Sequence, residues 1–171
     1  MIRAVLLDRD GVLNVDHHYV NSPDRFQWIE GAPEAVHWLN EQGILVIVVT
    51  NQSGIGRGLY SMDAFERFSA WMDSLLAERG ARIDAVYVCP HHPTDALPPY
   101  LVDCECRKPK PGMILQALRE HDLRAEEAIL IGDKDRDVAA AEAAGVKGIK
   151  YTEGNLLDLV QSALAAQQVS S

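Results

Sequence analysis

Cysteine is scarce in this sequence, and positive charge is outnumbered by negative charge. The three cysteines among 171 residues all lie between positions 89 and 106, so a disulfide framework is a poor interpretation. The formal net charge of -9 disfavours general affinity for nucleic acid or anionic lipid, because both need a broad basic surface. An anionic ligand would therefore need a local group of cations. The candidates for that group are Arg57, Arg107, Lys108, Lys110 and Lys134.

Long apolar runs and internal repeats are also missing. No run approaches the roughly 20 apolar residues that a membrane-spanning helix needs, and the first residues lead directly into a predicted strand rather than into a secretory signal. We therefore expect a cytoplasmic protein that does not bind membranes. Apart from a polar tail at 167–171, which we expect to be frayed, the composition suits a single domain that spans residues 1–171.

Apolar runs that alternate with helical patterns predict an α/β fold. Strands are predicted near residues 2–7, 44–49, 83–88, 128–132 and 146–150. Helices are predicted near 33–42, 61–79, 111–121, 135–144 and 155–167, with Ser61 as an N-cap and Gly43, Gly80 and Gly145 as C-terminal stops. This order indicates a Rossmann-like parallel sheet with helices on both faces. Segments 14–32 and 89–107 do not fit the alternation and are predicted to be loops that cover or shape a site.

Two carboxylates, Asp8 and Asp10, directly follow the first predicted strand. Taken alone, they suggest an ordinary polar turn. However, Thr50 and Asp133 also follow predicted strands, and ligand sites in such sheets lie outside the carboxyl ends of the strands. We therefore expect these side chains to meet at one edge of the sheet. Paired carboxylates at such an edge suit a divalent cation, or a division into nucleophile and acid–base roles.

The second loop carries a possible metal-binding group. Cys89, His91, Cys104 and Cys106 offer three thiolates and one imidazole, a donor set typical of a closed tetrahedral Zn²⁺ site. One residue separates the members of each pair, where zinc fingers have two to four, so the spacing alone is moderate evidence. The alternative is a set of buried, reduced cysteines beside a surface histidine.

Taken together, these motifs resemble the haloacid dehalogenase superfamily of phosphatases and, within it, the bacterial D-glycero-D-manno-heptose 1,7-bisphosphate 7-phosphatases. The matching segments span residues 8–14, 50–58, 89–93, 104–113 and 132–134. The resemblance implies a haloacid dehalogenase-like fold with a zinc-binding loop. Because no large insertion separates the first motif from Thr50, we expect no cap domain and a fairly open site.

The resemblance also implies a mechanism. Asp8 would attack phosphorus and form an aspartyl-phosphate, while Asp10 would protonate the leaving alcohol and then activate water. Mg²⁺ would be held by Asp8, Asp133 and the main-chain carbonyl of Asp10. Thr50 and Lys108 would stabilise the phosphoryl group.

The remaining expected roles are those of Asp137, of the zinc ligands and of the residues that contact substrate. For Asp137 two interpretations stay open, because it either binds a metal-bound water or is an exposed carboxylate in the first turn of a helix. The family pattern selects His91 over His92 as the zinc ligand, and the zinc would hold the loop that carries the basic pair at 107–108. Substrate contacts are expected from Arg9, Asp16, His17, His18, Tyr19, Asn51, Gln52, Ser53, Arg107 and Lys134.

The expected substrate is a small-molecule sugar bisphosphate that loses its 7-phosphate. Heptose 1-phosphate would then serve ADP- or GDP-heptose synthesis for lipopolysaccharide core or another surface glycan, and the anomer is left open. A monomer is the family expectation. A histidinol-phosphate phosphatase is the alternative within the class, although residues 53–58 favour the heptose enzymes. The alternatives of another class are a phospho-accepting receiver domain, disfavoured because Thr50 stands where its Asp would be, and a zinc-stabilised binding module without activity.

Overall fold

A five-stranded parallel sheet forms the centre of the protein, as shown by a computed structural model that describes residues 1–169. The strands follow the order β3-β2-β1-β4-β5, so the chain turns back at β1 and places later strands on its other side. Ligand sites in such sheets form where the order reverses, outside the carboxyl ends of the strands. The strands are β1 (Ala4–Leu7), β2 (Leu45–Asn51), β3 (Ala85–Cys89), β4 (Ala128–Gly132) and β5 (Lys147–Lys150).

Helices connect the strands and cover both faces of the sheet. They are α1 (Ala32–Glu41), α2 (Ser53–Gly56), α3 (Met62–Ala77), α4 (Gly112–Glu120), α5 (Asp135–Ala143) and α6 (Leu156–Val169). Short 3-10 turns occur at Pro23–Arg25 and Ala125–Glu127. No helix within residues 1–169 is long and apolar enough to cross a lipid bilayer.

The buried core consists of two layers because successive side chains of a strand point to opposite faces. In β1, Val5 and Leu7 face the layer formed by α1, α6 and the end of α3, whereas Ala4 and Leu6 face α4 and α5. All four are fully buried. This burial on both faces explains why the strands are continuous apolar runs in the sequence.

The predicted parallel sheet and its covering helices are confirmed, with boundaries within a few residues. The hydroxyl of Ser61 accepts a hydrogen bond from the amide of Ala64 at 3.0 Å, so the predicted N-cap is present. Gly43, Gly80 and Gly145 all have positive φ, as helix C-terminal stops require. The prediction of a frayed tail was wrong for residues 167–169, which continue α6. Residues 170–171 lie outside the described residues. The short helix α2 was not predicted.

Candidate active site

Three carboxylates converge beyond the carboxyl ends of β1 and β4. Asp8 follows β1, Asp133 follows β4, and Asp137 lies in the first turn of α5. One oxygen from each carboxylate lies within 4.8 Å of the others. Asp137 is fully buried, so its interpretation as an exposed helix carboxylate was wrong. Its burial depends on Gly132, because a Cβ there would lie 2.2 Å from the Asp137 Cβ.

The ammonium of Lys108 offsets the negative charge of this acidic group. Its Nζ lies 3.1 Å from Asp8 Oδ1 and 2.7 Å from Asp137 Oδ1, and it donates a hydrogen bond to the Val49 carbonyl at 2.9 Å. Burial by itself would lower the pKa of Lys108, but the two carboxylates outweigh burial and raise it. The side chain is therefore a fully desolvated ammonium with a partner for each of its three protons.

The carboxyl group of Asp8 has a strongly perturbed proton affinity. Burial raises its pKa from 3.8 to about 7, and the neighbouring Asp137, Asp10 and Asp133 add to the increase, while Lys108 opposes it. A buried carboxylate next to other carboxylates is stabilised when a cation joins the group. Perturbation of this kind is typical of functional sites.

Asp133 supports a metal at this position. Its Oδ1 is buried and has no hydrogen-bond partner among the described residues. Gly11, at a φ of +90°, allows close approach, since a Cβ there would lie 2.1 Å from Asp133 Oδ2. Hard carboxylate oxygens with unfilled acceptor capacity are the ligands that Mg²⁺ prefers. The residues present therefore fit a hard divalent cation.

Asp10 faces the same cavity but is held by a separate set of partners. Its carboxylate accepts hydrogen bonds from Arg9 at 3.0 Å, Asn14 at 3.0 Å and Gln52 at 2.9 Å. Arg9 is buried, with its guanidinium over the rings of Phe65 and Phe68 (5.5 and 5.2 Å to the ring centroids). Arg9 is not among the residues that line the cavity and it contacts Asp10 instead, so its position does not support the expected substrate contact.

Residues of β2 and α2 complete the wall next to the carboxylates. Thr50 is buried, and its hydroxyl accepts a hydrogen bond from Gln52 Nε2 at 2.9 Å, which leaves its own proton to donate. The Tyr60 hydroxyl donates to Gln52 Oε1. Asn51 and the backbone of Lys108 exchange two hydrogen bonds, each 3.1 Å long. Asn51 therefore holds the backbone of the loop that carries the Lys108 ammonium.

These elements enclose a cavity of about 260 Å³. Its cationic wall consists of the lining residues Arg57, Arg107, Lys134 and Arg136. Of these, Lys134 lies 3.5 Å from Asp133 Oδ2. Burial, followed by the charge of Arg136, lowers the pKa of Arg107. The lining residues are Asp8, Asp10, Asp16, His18, Tyr19, Asn51, Gln52, Ser53, Arg57, Tyr60, Arg107, Lys108, Asp133, Lys134 and Arg136.

Lys110 and His17, like Arg9 and the buried Thr50, are not among the residues that line this cavity. Lys110 is exposed and pairs with Asp103 at 2.9 Å and with Glu105 at 3.6 Å, so it does not belong to the cation group. His17 is exposed, and its ring lies 3.4 Å from Gln27 Oε1. The expected substrate contact by His17 is thus not supported by its position.

The cysteine loop brings its four predicted ligands together. Sγ of Cys106 lies 3.0 Å from that of Cys89 and 3.3 Å from that of Cys104, and His91 Nδ1 lies 3.4 Å from Cys106 Sγ. All three cysteines are free thiols. His92 stays outside the cluster because its Nδ1 accepts hydrogen bonds from backbone amides of the next turn. The cluster can hold a metal ion with a Cys₃His donor set.

Tyr60 and Arg136 were missed as cavity residues from the sequence. Arg136 carried a usable signal, because it lies in the helix turn that follows Asp133. Tyr60 carried none, since it reaches the site only through the turn after α2.

Comparison with known proteins agrees with this architecture. A family model described as HAD-hydrolase-like matches residues 105–167. The chain is 48% identical over 147 residues to the D-glycero-β-D-manno-heptose-1,7-bisphosphate 7-phosphatase of Pasteurella multocida, which covers 86% of this chain and 79% of that protein. It is 43% identical over 145 residues to the protein of the same name from Escherichia coli, with 85% and 76% covered.

A solved structure is similar over almost the whole chain. It is the D,D-heptose 1,7-bisphosphate phosphatase from B. bronchiseptica in complex with magnesium and phosphate, with a TM-score of 0.86, 30% identity, and 96% of this chain and 99% of that chain covered. The parallel sheet and the acidic site thus define a hydrolase of the haloacid dehalogenase type. Within that class, the chain belongs to the family of heptose-1,7-bisphosphate 7-phosphatases.

Proposed function

We propose that this protein removes the 7-phosphate of D-glycero-β-D-manno-heptose 1,7-bisphosphate in a Mg²⁺-dependent reaction and releases heptose 1-phosphate. The observation that carries the proposal is the position of Asp8, which lies 3.1 Å from the Lys108 ammonium in the same cavity as Asp10 and Asp133. Nucleophile, acid–base group and charge compensation are thus available to one phosphoryl group. The β-anomer follows from the names of the curated relatives.

In this mechanism, a carboxylate oxygen of Asp8 attacks phosphorus, and the bond from phosphorus to the sugar oxygen breaks. Asp10 gives its proton to the departing sugar alkoxide. It then accepts a proton from the water that attacks the aspartyl-phosphate, which releases inorganic phosphate and restores Asp8. The network of Arg9, Asn14 and Gln52 fixes the Asp10 carboxylate for both transfers.

Hydrogen-bond donors and a positive charge at the cavity would stabilise the negative charge on the phosphoryl group during its transfer. Thr50 has a hydroxyl proton available for a phosphoryl oxygen, and Lys108 supplies positive charge beside Asp8. Magnesium would be held by Asp8, Asp133 and the main-chain carbonyl of Asp10. When bound, it supplies charge neutralisation for the phosphoryl oxygens. Asn51, Gln52, Ser53 and Lys134 complete the set of proposed phosphate and substrate contacts.

The cationic wall suits the second phosphate of a bisphosphate. Arg57, Arg107 and Arg136 line the cavity, and one guanidinium can bind two phosphate oxygens at once. Only Arg57 of these three has a carboxylate partner in the described residues, Asp95 at 3.7 Å. We infer that this wall holds the 1-phosphate, and that no cap domain is needed to close the site over it.

Zinc is the proposed occupant of the cysteine cluster. Cys89 ends β3, and Cys106 directly precedes the basic pair formed by Arg107 and Lys108. A closed Cys₃His site would tie these points together and limit the freedom of the loop that carries both cations. A monomeric, cytoplasmic enzyme that supplies lipopolysaccharide or glycan heptose is part of the same proposal.

A kcat/KM panel tests the proposed function. The purified protein with Mg²⁺ would be compared on β- and α-heptose 1,7-bisphosphate, heptose 7-phosphate, histidinol phosphate and common sugar phosphates. We expect the β-bisphosphate to exceed the others by at least about tenfold, since one charge-assisted contact contributes on that scale. Near-equal kcat/KM values across the panel would indicate a phosphatase without substrate preference. The highest kcat/KM for histidinol phosphate would contradict the heptose assignment.

Removal of one guanidinium tests the role of the cationic wall. Arg136→Gln should raise KM for the bisphosphate several-fold and leave the heptose 7-phosphate values unchanged. Arg119→Gln, at an exposed position of α4 outside the cavity, serves as the matched control. A loss on both substrates would contradict a specific role in binding the 1-phosphate.

A further inference from the structure

The loop of residues 16–19 forms one wall of the cavity, and the residues at both of its ends are held by hydrogen bonds. Asp16, His18 and Tyr19 line the cavity. Next to them, Val20 is fully buried, and its carbonyl accepts a hydrogen bond from Arg9 at 2.5 Å. At the other end, the amide of Val15 donates to a backbone carbonyl at 2.8 Å. The tip between these anchors has no regular secondary structure to hold it.

The tip has an unfavourable backbone conformation. His18 and Tyr19 have φ values of +61° and +53°, although neither is glycine. The left-handed region is unfavourable for residues with a Cβ, and two such residues in a row require compensation from their surroundings. One compensation is local, since the Asp16 carboxylate accepts a hydrogen bond from the His18 amide at 3.0 Å.

Arg25 supplies a second compensation from across the loop. Its Nη2 donates to the carbonyls of His17 and of His18, the latter at 2.8 Å, and its Nη1 lies 3.4 Å from the carbonyl of Tyr19. Three consecutive carbonyls therefore converge on one guanidinium. The planar fork of an arginine can make such contacts together, whereas the point charge of a lysine cannot reproduce them.

The base of Arg25 is itself fixed. It ends the 3-10 turn Pro23–Arg25, and the next residue, Phe26, packs edge-on against Trp28 and Trp71 at 4.6 and 5.2 Å between ring centroids. Val20 belongs to the same apolar cluster. The backbone of Arg25 is therefore held next to the same apolar cluster that holds Val20 at the end of the loop.

We infer that Arg25 is a positioning residue for substrate recognition: it holds residues 17–19 in their left-handed conformation, so that Asp16, His18 and Tyr19 face the bound sugar. It does not line the cavity, and it touches no residue of the acidic group. Its effect should therefore fall on binding of the sugar part and not on phosphoryl transfer. This inference rests on the proposed function, because it assumes a substrate that extends beyond its phosphate.

Kinetics on two substrates test the inference. We would measure Arg25→Gln and Arg25→Lys with heptose bisphosphate and with p-nitrophenyl phosphate, whose flat aryl group offers no hydroxyls to this loop. We expect KM for the bisphosphate to rise about tenfold in both variants with kcat within about twofold, on the scale of one lost charge-assisted hydrogen bond. Values for the aryl phosphate should stay within about twofold of the wild type. Arg67→Gln, on the exposed side of α3, is the matched control.

Hydrogen exchange provides a readout that does not depend on turnover. The His18 amide should exchange faster in both Arg25 variants than in the wild type and the Arg67→Gln control. Unchanged exchange and unchanged KM would overturn the inference. So would a full rescue by Arg25→Lys, or equal losses on both substrates with a lower Tm. A wild-type enzyme that ignores heptose bisphosphate would instead contradict the proposed function, while the exchange result would still test the role of Arg25 in the loop.

Discussion

The Nζ of Lys108 lies 2.7 Å from Oδ1 of Asp137, and neither side chain is accessible to solvent. This ion pair holds the ammonium at the one position from which it also reaches Asp8 at 3.1 Å. We therefore expect Asp137 to affect turnover by positioning Lys108, without a contact to substrate. A buried pair of this kind is costly to break, because the remaining partner stays desolvated.

Asp137→Asn should weaken both stability and turnover. Loss of the charge leaves a less well compensated ammonium, and we expect the free energy of unfolding to fall by about 2 kcal/mol. Because Lys108 would then be less well placed, kcat should fall by roughly 10- to 100-fold. Denaturant unfolding and steady-state kinetics would measure the two effects.

The neighbouring Asp135 provides the control for that variant. It is exposed and pairs with Lys150 at 2.9 Å, so Asp135→Asn should leave the free energy of unfolding nearly unchanged. Wild-type kcat in Asp137→Asn would contradict the positioning role of the buried pair.

Gly11→Ala should abolish most of the activity. The new Cβ would lie 2.1 Å from Asp133 Oδ2, so this carboxylate would have to leave its position. Gly154 has a similar φ, +94° against +90°, but a Cβ there meets nothing within 4 Å. Gly154→Ala thus reproduces the backbone strain, about 1–2 kcal/mol, without the collision. Equal activities of the two variants would contradict the assigned role of Asp133.

Cys106→Ala should lower Tm and raise KM while Asp8 remains able to react. We expect Tm to fall by about 5 °C or more, which corresponds to roughly 2 kcal/mol in a protein of this size. KM should rise because the loop before Arg107 is less constrained. His92→Asn, just outside the cluster, is the control and should keep the metal content of the wild type. Unchanged Tm and KM in Cys106→Ala would exclude a structural role for the cluster.

The contribution of Asp8 to the stability of the Mg²⁺-free protein should fall as the pH rises from about 4 towards 8. The pKa of Asp8 is raised from 3.8 to about 7, so the folded state holds a proton that the unfolded chain has already released over this range. The part of the free energy of unfolding that Asp8 contributes therefore decreases with increasing pH in that window. Asp8→Asn carries no titrating group and should lose this component. Urea unfolding at several pH values, in buffer without Mg²⁺, would measure the difference, and identical pH profiles would contradict the raised pKa.

The strands and the strand-end residues could be predicted because a buried parallel sheet leaves continuous apolar runs in the sequence. Asp8, Thr50 and Asp133 followed directly from these runs. The burial of Asp137 could not be predicted, since a carboxylate in a first helical turn faces solvent or protein depending on its packing partner. Here Gly132 leaves the space that lets it turn inward.

The roles of arginines were the least accessible to prediction. Arg9 stands between Asp8 and Asp10 in sequence, yet its long side chain extends to the rings of Phe65 and Phe68. A flexible side chain of this length can reach either side of a loop. The side that Arg9 takes is set by its contact with the two aromatic rings of α3. Arg25 lies outside every motif and contacts the loop of residues 16–19 only because the chain folds back on itself.

The identity of the nucleophile is the claim on which the mechanism depends. The most direct measurement is acid quench during turnover of heptose bisphosphate, followed by borohydride reduction, which converts an aspartyl-phosphate to homoserine, and peptide mass spectrometry. We expect homoserine at position 8, in amounts that depend on Mg²⁺, and none in Asp8→Asn. Homoserine at another aspartate, or full turnover by Asp8→Asn, would contradict it.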